Sequence, residues 1–155
     1  PVAELVRIKV VDRLFDPLEE IRTAENELAP RRSRIGASSF FVGSMRDFNE
    51  GDSVQSMFLE HYPGMTESRL EEIADLAKIK WDLDWVLIIH RVGQIHPAEP
   101  IVLVATWSAH RAQAFDSCRA IMEQLKSTAP FWKKESLDDG TRWVKNNTAG
   151  YSVND

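Results

Sequence analysis

Apolar residues recur every three or four positions in three segments of the chain, and this spacing predicts three amphipathic helices. The first helix has Asp16 as its cap and stops before Pro30. The second opens at Thr66, and the third runs over about 109–126. Each helix has a polar cap residue or a proline near an end, which marks its boundaries independently of the apolar spacing.

Denser or alternating apolar runs predict strands at 2–11, 36–42, 53–62, 85–92 and 101–108. We expect the second and third of these to pair as a hairpin across a long polar loop at 47–52. Asp139-Gly140 lies at the centre of a further segment, 133–145, and predicts a terminal hairpin. Helices and hairpins alternate along the chain, which favours an α+β fold with a mainly antiparallel sheet and three main helices.

The 155 residues are enough for one domain, which we expect to span 1–151 and to leave 152–155 as a flexible tail. A net charge of −5 argues against a nucleic-acid or anionic-membrane partner. The longest apolar runs, 85–89 and 101–107, are too short to span a bilayer, and the first residues lack a signal-peptide core. A single cysteine agrees with a reducing compartment, so we expect a cytoplasmic protein.

The third helix carries a charged residue in an unexpected place. A rotation of 100° per residue puts Phe115, Cys118, Met122 and Leu125 on one apolar stripe, with Arg111 at its centre. One explanation is an ion pair with a buried carboxylate such as Glu60. The other is that Arg111, with His110 and the helix N-terminus, binds a phosphate or carboxylate of a ligand. The spacing does not separate the two.

Lys126 and Lys133 flank the break at Pro130, one at the end of the third helix and one just beyond it. Both are compatible with ordinary solvated lysines. The adjacent Phe131 and Trp132 favour a second interpretation, because aromatic neighbours that remove water lower the pKa of a lysine towards the range useful in proton transfer.

Other chemistry is not indicated. Cys118 falls on the apolar stripe and is interpreted as a structural residue. The four histidines lack metal-ligand spacing, and no glycine-rich phosphate loop is present, so we expect neither a metal nor a cofactor. The basic cluster after Pro30 is explained by a solvated loop.

Five ordered blocks between about Gly36 and Val144 together resemble the large, catalytic subunits of molybdopterin synthase. The blocks are Phe41-Val42-Gly43-Ser44-Met45-Arg46-Asp47, Leu59-Glu60-His61-Tyr62-Pro63-Gly64-Met65, His90-Arg91-Val92-Gly93, Ala109-His110-Arg111 with Ala114-Phe115, and Leu125-Lys126 with Ala129-Pro130-Phe131-Trp132-Lys133-Lys134-Glu135. Two departures are small: Met45 stands where a β-branched residue is expected, and Ala98-Glu99 replaces an expected Gly-Glu.

The resemblance implies an α/β hammerhead fold and a sulfur transferase that converts cyclic pyranopterin monophosphate into the dithiolene of molybdopterin. It implies that the sulfur arrives as a thiocarboxylate on the C-terminal Gly-Gly tail of a small ubiquitin-like partner. It also implies a heterotetramer with a homodimer of large subunits at its centre. The pathway would be molybdenum cofactor biosynthesis.

By the same resemblance, Lys126 and Lys133 are the catalytic lysines. The implied substrate-binding residues are Ser44, Met45, Arg46, His110, Arg111, Lys134 and Glu135, of which Ser44, Met45, Lys134 and Glu135 would line the pocket.

The length of the third helix adds a prediction that the resemblance does not contain. At about 1.5 Å per residue, a continuous helix separates the Cα atoms of Arg111 and Lys126 by roughly 22 Å. We therefore expect a site across the dimer interface, with Lys126 and Lys133 from one chain and His110 and Arg111 from the other.

The sequence is also compatible with two other functions. A non-catalytic module would use the same basic residues only to bind an anion or an acidic partner. A hydrolase using Cys118 or a histidine would be sensitive to thiol reagents, which we do not expect.

Overall fold

The computed structural model describes residues 7–144. Its helices are α1 (Pro17–Glu27), α2 (Met65–Lys80) and α3 (Arg111–Thr128), with a 3-10 helix at Ala29–Arg34. Its strands are β1 (Ile8–Val11), β2 (Ala37–Ser44), β3 (Phe48–Asn49), β4 (Asp52–His61), β5 (Trp85–Arg91), β6 (Gly93–Ile95), β7 (Pro100–Ser108), β8 (Phe131–Leu137) and β9 (Gly140–Val144). The start of the first predicted strand and the expected tail at 152–155 lie outside the described residues.

The three predicted helices are confirmed, and local chemistry explains where they begin and end. The Asp16 carboxylate accepts hydrogen bonds from the backbone N–H groups of Leu18 and Glu19, which no helical carbonyl can reach. In α2 the Glu67 side chain caps the N–H of Gly64. The segment after Pro30, predicted as a loop, forms the exposed 3-10 helix instead.

The first sheet is the middle layer of the fold. Its four strands run in the order β1-β5-β7-β2, and only the β1–β5 pair is parallel. One face packs against α2 and α3, and the other packs against α1. Helices therefore cover both faces, and this explains why β5 and β7 are almost continuously apolar in sequence.

A second sheet runs in the order β3-β4-β8-β9, and β6 also pairs with β4. Its inner face meets the first sheet through an apolar cluster that includes Met57, Leu59 and Ile95. The predicted terminal hairpin is confirmed as β8 and β9, which turn at Asp138-Asp139. Short β6, which lies in the connection between β5 and β7, was not predicted.

The predicted hairpin between 36–42 and 53–62 is wrong. β2 pairs along its whole length with β7, with Phe40 opposite Ala105, and β4 pairs with β8. β7 is an inner strand of the first sheet, buried over most of its length, and needs a partner on each side, which β5 and β2 supply. A small hairpin does form between β3 and the start of β4. Glu50 and Gly51 join these strands, and both have the positive φ angles of a two-residue turn.

The α+β class with mainly antiparallel sheet is confirmed. Within 7–144, none of the helices is both long and apolar enough to cross a membrane.

The packing of α2 against the first sheet generates a stability prediction. Ile73 is 0% exposed in the cluster between α2, α3 and the sheet, so Ile73→Ala leaves a cavity and should lower the free energy of unfolding by about 2–5 kcal/mol. Ile79 lies on the same helix but is 81% exposed, so Ile79→Ala should change it by less than about 0.5 kcal/mol. Urea denaturation measures both, and equal effects would contradict the burial assigned to α2.

Candidate active site

A cavity of about 170 Å³ lies where the two sheets meet, beside the C-terminal end of α3. Most of its lining is apolar and comes from β4, β7 and α3: Met57, Leu59, Ile101, Val102, Met122 and Leu125. Polar side chains also line it, namely Ser44, His90, Lys126 and Lys133. Two cationic side chains thus share a cavity whose lining residues are mostly apolar.

The break after α3 brings the two lysines together. Ala129 follows the helix with extended backbone angles of φ −75° and ψ 134°, because Pro130 disfavours helical geometry in the residue before it. The chain then returns as β8, which pairs with β4 and sets Lys133 opposite Leu59. Lys126 at the end of α3 and Lys133 in β8 therefore line the same cavity. The convergence of these two predicted lysines is the main feature of the site.

Both lysines have a lowered pKa. For Lys126 the main cause is desolvation by the surrounding side chains, followed by the positive charges of Lys133 and Arg46. For Lys133 desolvation is again the main cause, and Arg46 adds to it while Glu135 partly opposes it by raising the pKa. At a given neutral pH each amine is therefore uncharged more often than an ordinary lysine, as a group that moves protons requires.

The sequence interpretation missed His90 as a part of this site. It lies near the end of β5, stacks on Phe131 at 3.9 Å between ring centroids, and lines the cavity. Burial lowers the pKa of His90 to about 4, with smaller contributions from Lys126, His61 and Lys133. One signal in the sequence was available: His90 is the first polar residue after the apolar run of β5.

The three predicted residues at the end of β2 and just after it lie in different surroundings. Ser44 lines the cavity, whereas Met45 is buried in the apolar cluster between the sheets. Arg46 is exposed, its guanidinium lies 4.8 Å from the ring centroid of Phe48, and its charge reaches both lysines. Met45 does not line this cavity, because the backbone turns its side chain into the core, and its role in substrate binding stays a prediction.

An ion pair at the end of β5 supports this segment. Arg91 is buried and its guanidinium lies 3.2 Å from the carboxylate of Glu99. The backbone of Glu99 accepts a hydrogen bond from the N–H of Met45 at 2.9 Å, and Ala98 donates to the carbonyl of Met45 at 2.8 Å. The connection between β6 and β7 thereby holds Ser44 and Arg46 in place.

Lys134 and Glu135 do not line the cavity either. Lys134 alternates to the opposite face of β8, where its ammonium lies 5.7 Å from the ring centroid of Trp143. Glu135 does share a face with Lys133, but it is only 4% exposed and accepts hydrogen bonds from Asn49 and Arg142. Its negative charge acts on Lys133 through space rather than at the cavity surface.

His110 and Arg111 lie at the far end of α3. His110 is the cap residue and Arg111 the first helical residue, and both are exposed. α3 is continuous from Arg111 to Thr128, so the roughly 22 Å separation expected from helix geometry stands. Neither residue lines the cavity of its own chain. Arg111 also makes no ion pair with Glu60, and both residues lie in the described part of the chain.

The predicted stripe on α3 was rotated from the true one. The buried residues of the helix are Ala114, Ser117, Cys118, Ile121 and Leu125, whereas Phe115 is 65% exposed. Arg111 therefore lies beside the buried face and not at its centre. Cys118 is confirmed as a buried residue: its Sγ lies 3.6 Å from the carbonyl oxygen of Val104, and burial raises the pKa of its thiol.

This arrangement suits an anionic group on a slender chain. Two ammonium groups attract and orient a negative charge, and an apolar lining that excludes water strengthens that attraction. Amines with a lowered pKa also exchange protons more readily at neutral pH than ordinary lysines do. The cavity is too small for a bulky ligand as a whole, so a larger substrate must extend beyond its mouth.

Comparison with known proteins places these features in a family. The family model described as MoaE protein matches residues 16–128. The molybdopterin synthase catalytic subunit of Pseudomonas aeruginosa is 50% identical over 138 residues, which cover 89% of each chain.

Solved structures of related proteins have the same fold. The molybdopterin biosynthesis MoaE protein from Burkholderia ambifaria has a TM-score of 0.73 and 46% identity, covering 90% of this chain and 88% of that one. A complex of subunits 1 and 2 of the molybdopterin-converting factor from Helicobacter pylori contains a chain with the same fold, at a TM-score of 0.75 and 20% identity. The match covers 89% of this chain and 90% of that one. With the family match over most of its length, this chain belongs to the MoaE family of molybdopterin synthase catalytic subunits.

Proposed function

We propose that this enzyme transfers sulfur to cyclic pyranopterin monophosphate, and that the cavity holds the C-terminal Gly-Gly thiocarboxylate of a small ubiquitin-like partner. The observation that carries the proposal is the convergence of Lys126 and Lys133 on one small cavity lined mostly by apolar residues. Glycine residues have no side chains, so a Gly-Gly tail needs little space, which suits a cavity of about 170 Å³. Its terminal thiocarboxylate is an anion that the two ammonium groups attract.

The chemistry explains why two lysines are needed. The thiocarboxylate sulfur forms a bond to a pterin side-chain carbon as a carbon–oxygen bond at that carbon breaks, and the oxygen leaves with the phosphate when the cyclic phosphate opens or as water. The tail is then joined to the substrate through an acyl–sulfur bond. Water then cleaves that bond, returning the tail as a carboxylate and leaving the sulfur on the pterin. Protons must be moved in both steps, and negative charge develops on the acyl oxygen during the second. Lys126 and Lys133 are the groups in reach of the cavity for both tasks.

The phosphate of the substrate needs fixed cations outside the cavity. We assign this role to Arg46, His110 and Arg111, with Ser44 at the cavity edge. Arg46 lies near the lysines of its own chain, since its charge lowers the pKa of both. His110 and Arg111 are too far along α3 to join them within one chain. Met45 and Glu135 support the site from the core, and Lys134 faces away from it.

The edge of the first sheet suggests how a second chain completes the site. Among the described strands β2 pairs only with β7, and it exposes the consecutive apolar residues Phe40, Phe41 and Val42. One end of β2 is joined to Ser108, next to His110, and the other end is Ser44 at the cavity. Eight strand residues span about 23 Å, close to the length of α3 between Arg111 and Lys126.

A two-fold pairing of β2 with β2 of a second copy would run antiparallel. It would bring the His110 end of one chain beside the cavity of the other, and it would cover the exposed apolar edge. We propose this homodimer as the centre of a heterotetramer in the cytoplasm, with one small subunit on each outer side. The two-subunit complex from Helicobacter pylori supports the presence of a small partner.

Replacement of either lysine tests the assignment. Lys126→Ala or Lys133→Ala should lower the rate of dithiolene formation by about 10²–10⁴-fold, because proton transfer and charge stabilisation are lost together. Lys80 is also in the last turn of a helix but lies far from the cavity, so Lys80→Ala is the matched control. The assay mixes the purified chain with thiocarboxylated small subunit and cyclic pterin.

The same variants separate the enzyme from a non-catalytic binding module. Loss of turnover with unchanged affinity for the small subunit supports catalysis, whereas loss of affinity alone would favour a module. Calorimetric titration of the small subunit into each variant provides the affinity.

The electrostatic role of Arg46 gives a prediction about pH. A neighbouring positive charge disfavours the ammonium form, so Arg46→Gln should raise the titration midpoints of Lys126 and Lys133 towards the ordinary lysine value. NMR of the lysine Cε carbons against pH measures both midpoints in the free protein. Arg22→Gln, which removes an exposed arginine whose ion-pair partner within residues 7–144 is Glu19 of the same helix, should leave them unchanged. Midpoints that stay constant in Arg46→Gln would remove Arg46 from the site.

A mixing experiment tests whether the site is shared between chains. Lys126→Ala and Arg111→Ala homodimers should each be inactive. After their subunits are exchanged, half of the dimers are mixed, and each mixed dimer contains one intact site if Lys126 and Arg111 come from different chains. Activity should then recover to about a quarter of the wild-type value. Mixtures that stay inactive after verified exchange would show that both residues act within one chain.

A further inference from the structure

His90 also lines the cavity, and the roles proposed for the two lysines do not account for it. The residues of β5 before it are apolar, and Ile88, on the same face, packs against α2 and α3. At His90 the same face of the strand reaches the cavity instead. A buried imidazole at this point replaces an aliphatic side chain that would pack equally well, which points to a chemical function.

Its hydrogen bonding defines which nitrogen is available. Nδ1 lies 2.8 Å from the carbonyl oxygen of Arg91, and a carbonyl oxygen only accepts hydrogen bonds. Nδ1 therefore carries the hydrogen. Because burial lowers the pKa of His90 to about 4, the ring is neutral at pH 7, and its other nitrogen, Nε2, has a free lone pair.

Two contacts fix the orientation of the ring. Phe131 stacks on it at 3.9 Å between centroids and 17° between planes. The accepting carbonyl belongs to Arg91, whose side chain is held by Glu99 and by the carbonyl of Gln94 at 2.7 Å. The imidazole is thus held on one side by the second sheet and on the other by the buried ion pair at the end of β5.

The ring is surrounded mainly by hydrogen-bond donors and positive charges. Lys126 faces it from α3, Lys133 from β8 and His61 from β4, and the charges of all three disfavour its protonation. The charge of Arg46, in the segment after β2, lowers the pKa of both lysines. Glu123 in α3 raises the pKa of Lys126, and Glu135 in β8 raises the pKa of Lys133. Phe131, which stacks on the ring, lies two residues before Lys133 in β8, so both side chains project from the same face of that strand.

We propose that His90 is a positioning residue for Lys133, whose ammonium group donates a hydrogen bond to Nε2 when the cavity is occupied. The imidazole then directs the ammonium towards the end of the bound tail. Hydrogen bonds of this kind are often long in an empty site and shorten when the substrate is bound. The role rests on the proposed sulfur transfer, but the hydrogen bond itself requires only that the cavity is occupied and can be detected without turnover.

Two substitutions separate the acceptor nitrogen from the shape of the ring. His90→Phe keeps an aromatic ring against Phe131 and removes both nitrogens. His90→Gln places an amide oxygen near the position of Nε2 and so keeps an acceptor. If His90→Phe does not fold, as judged by its circular dichroism spectrum and melting curve, His90→Leu replaces it as the variant without an acceptor.

The first measurement is the titration of Lys133, followed by NMR of its Cε carbon in protein saturated with carboxylate-ended small subunit. An acceptor stabilises the ammonium form, so removing it should lower the Lys133 midpoint by about half a pH unit or more in His90→Phe. The midpoint in His90→Gln should stay close to that of the wild type. The signal is assigned by its disappearance in Lys133→Ala.

The second measurement is the single-turnover rate of sulfur transfer with the same partner. It should fall about tenfold in His90→Phe and by less than about threefold in His90→Gln, with affinity for the small subunit unchanged in both. A purely structural histidine would give losses that follow the melting temperature and are not rescued by glutamine.

The outcomes distinguish the two levels of the proposal. A Lys133 midpoint that is the same in His90→Phe as in the wild type overturns the hydrogen bond, even if the wild type transfers sulfur normally. A midpoint that falls in both variants also overturns it, because the acceptor then makes no difference. A selective fall in His90→Phe, in a protein that makes no dithiolene, supports the hydrogen bond and counts against the proposed function.

Discussion

The structure depends on keeping two like charges side by side in an apolar cavity. Desolvation disfavours the charged forms of both lysines, and so do nearby positive charges, namely Lys133 and Arg46 at Lys126 and Arg46 at Lys133. Each lysine would reach solvent if the chain were free to move. The break at Pro130 prevents this, because it fixes the direction in which the chain leaves α3 and enters β8. The packing of the two sheets therefore holds an arrangement that the lysines alone would not adopt, as is common where function and stability compete.

Local features of the fold could be predicted from the sequence, and long-range pairings could not. The cap at Asp16, the apolar spacing in α2 and the turn before Gly140 each depend on residues close together in the chain. The partner of β2 depends on β7, far along the sequence, and the apolar pattern of β2 is compatible with either partner. Adjacent strands usually pair, and that general tendency led to the wrong hairpin.

The site shows the same division. Lys126 and Lys133 were recognised because they stand in conspicuous blocks around a proline, and the cavity confirms their convergence. The stripe on α3 was placed wrongly because Ala114 and Ile121 were left out of it, and these residues turn the buried face away from Arg111. His90 escaped notice since a histidine at the end of an apolar strand has no distinctive spacing. Its importance becomes visible only through its stacking partner and its neighbours in space.

The burial of Cys118 has a consequence for the proposed transfer of sulfur from the partner's tail. Acyl–sulfur compounds exchange readily with exposed thiolates, so an accessible cysteine near the site would capture the tail of the partner in an unproductive adduct. This chain has a single thiol, held inside the core with a raised pKa. It is therefore both sterically shielded and weakly nucleophilic, so it does not compete for the acyl group of the proposed intermediate.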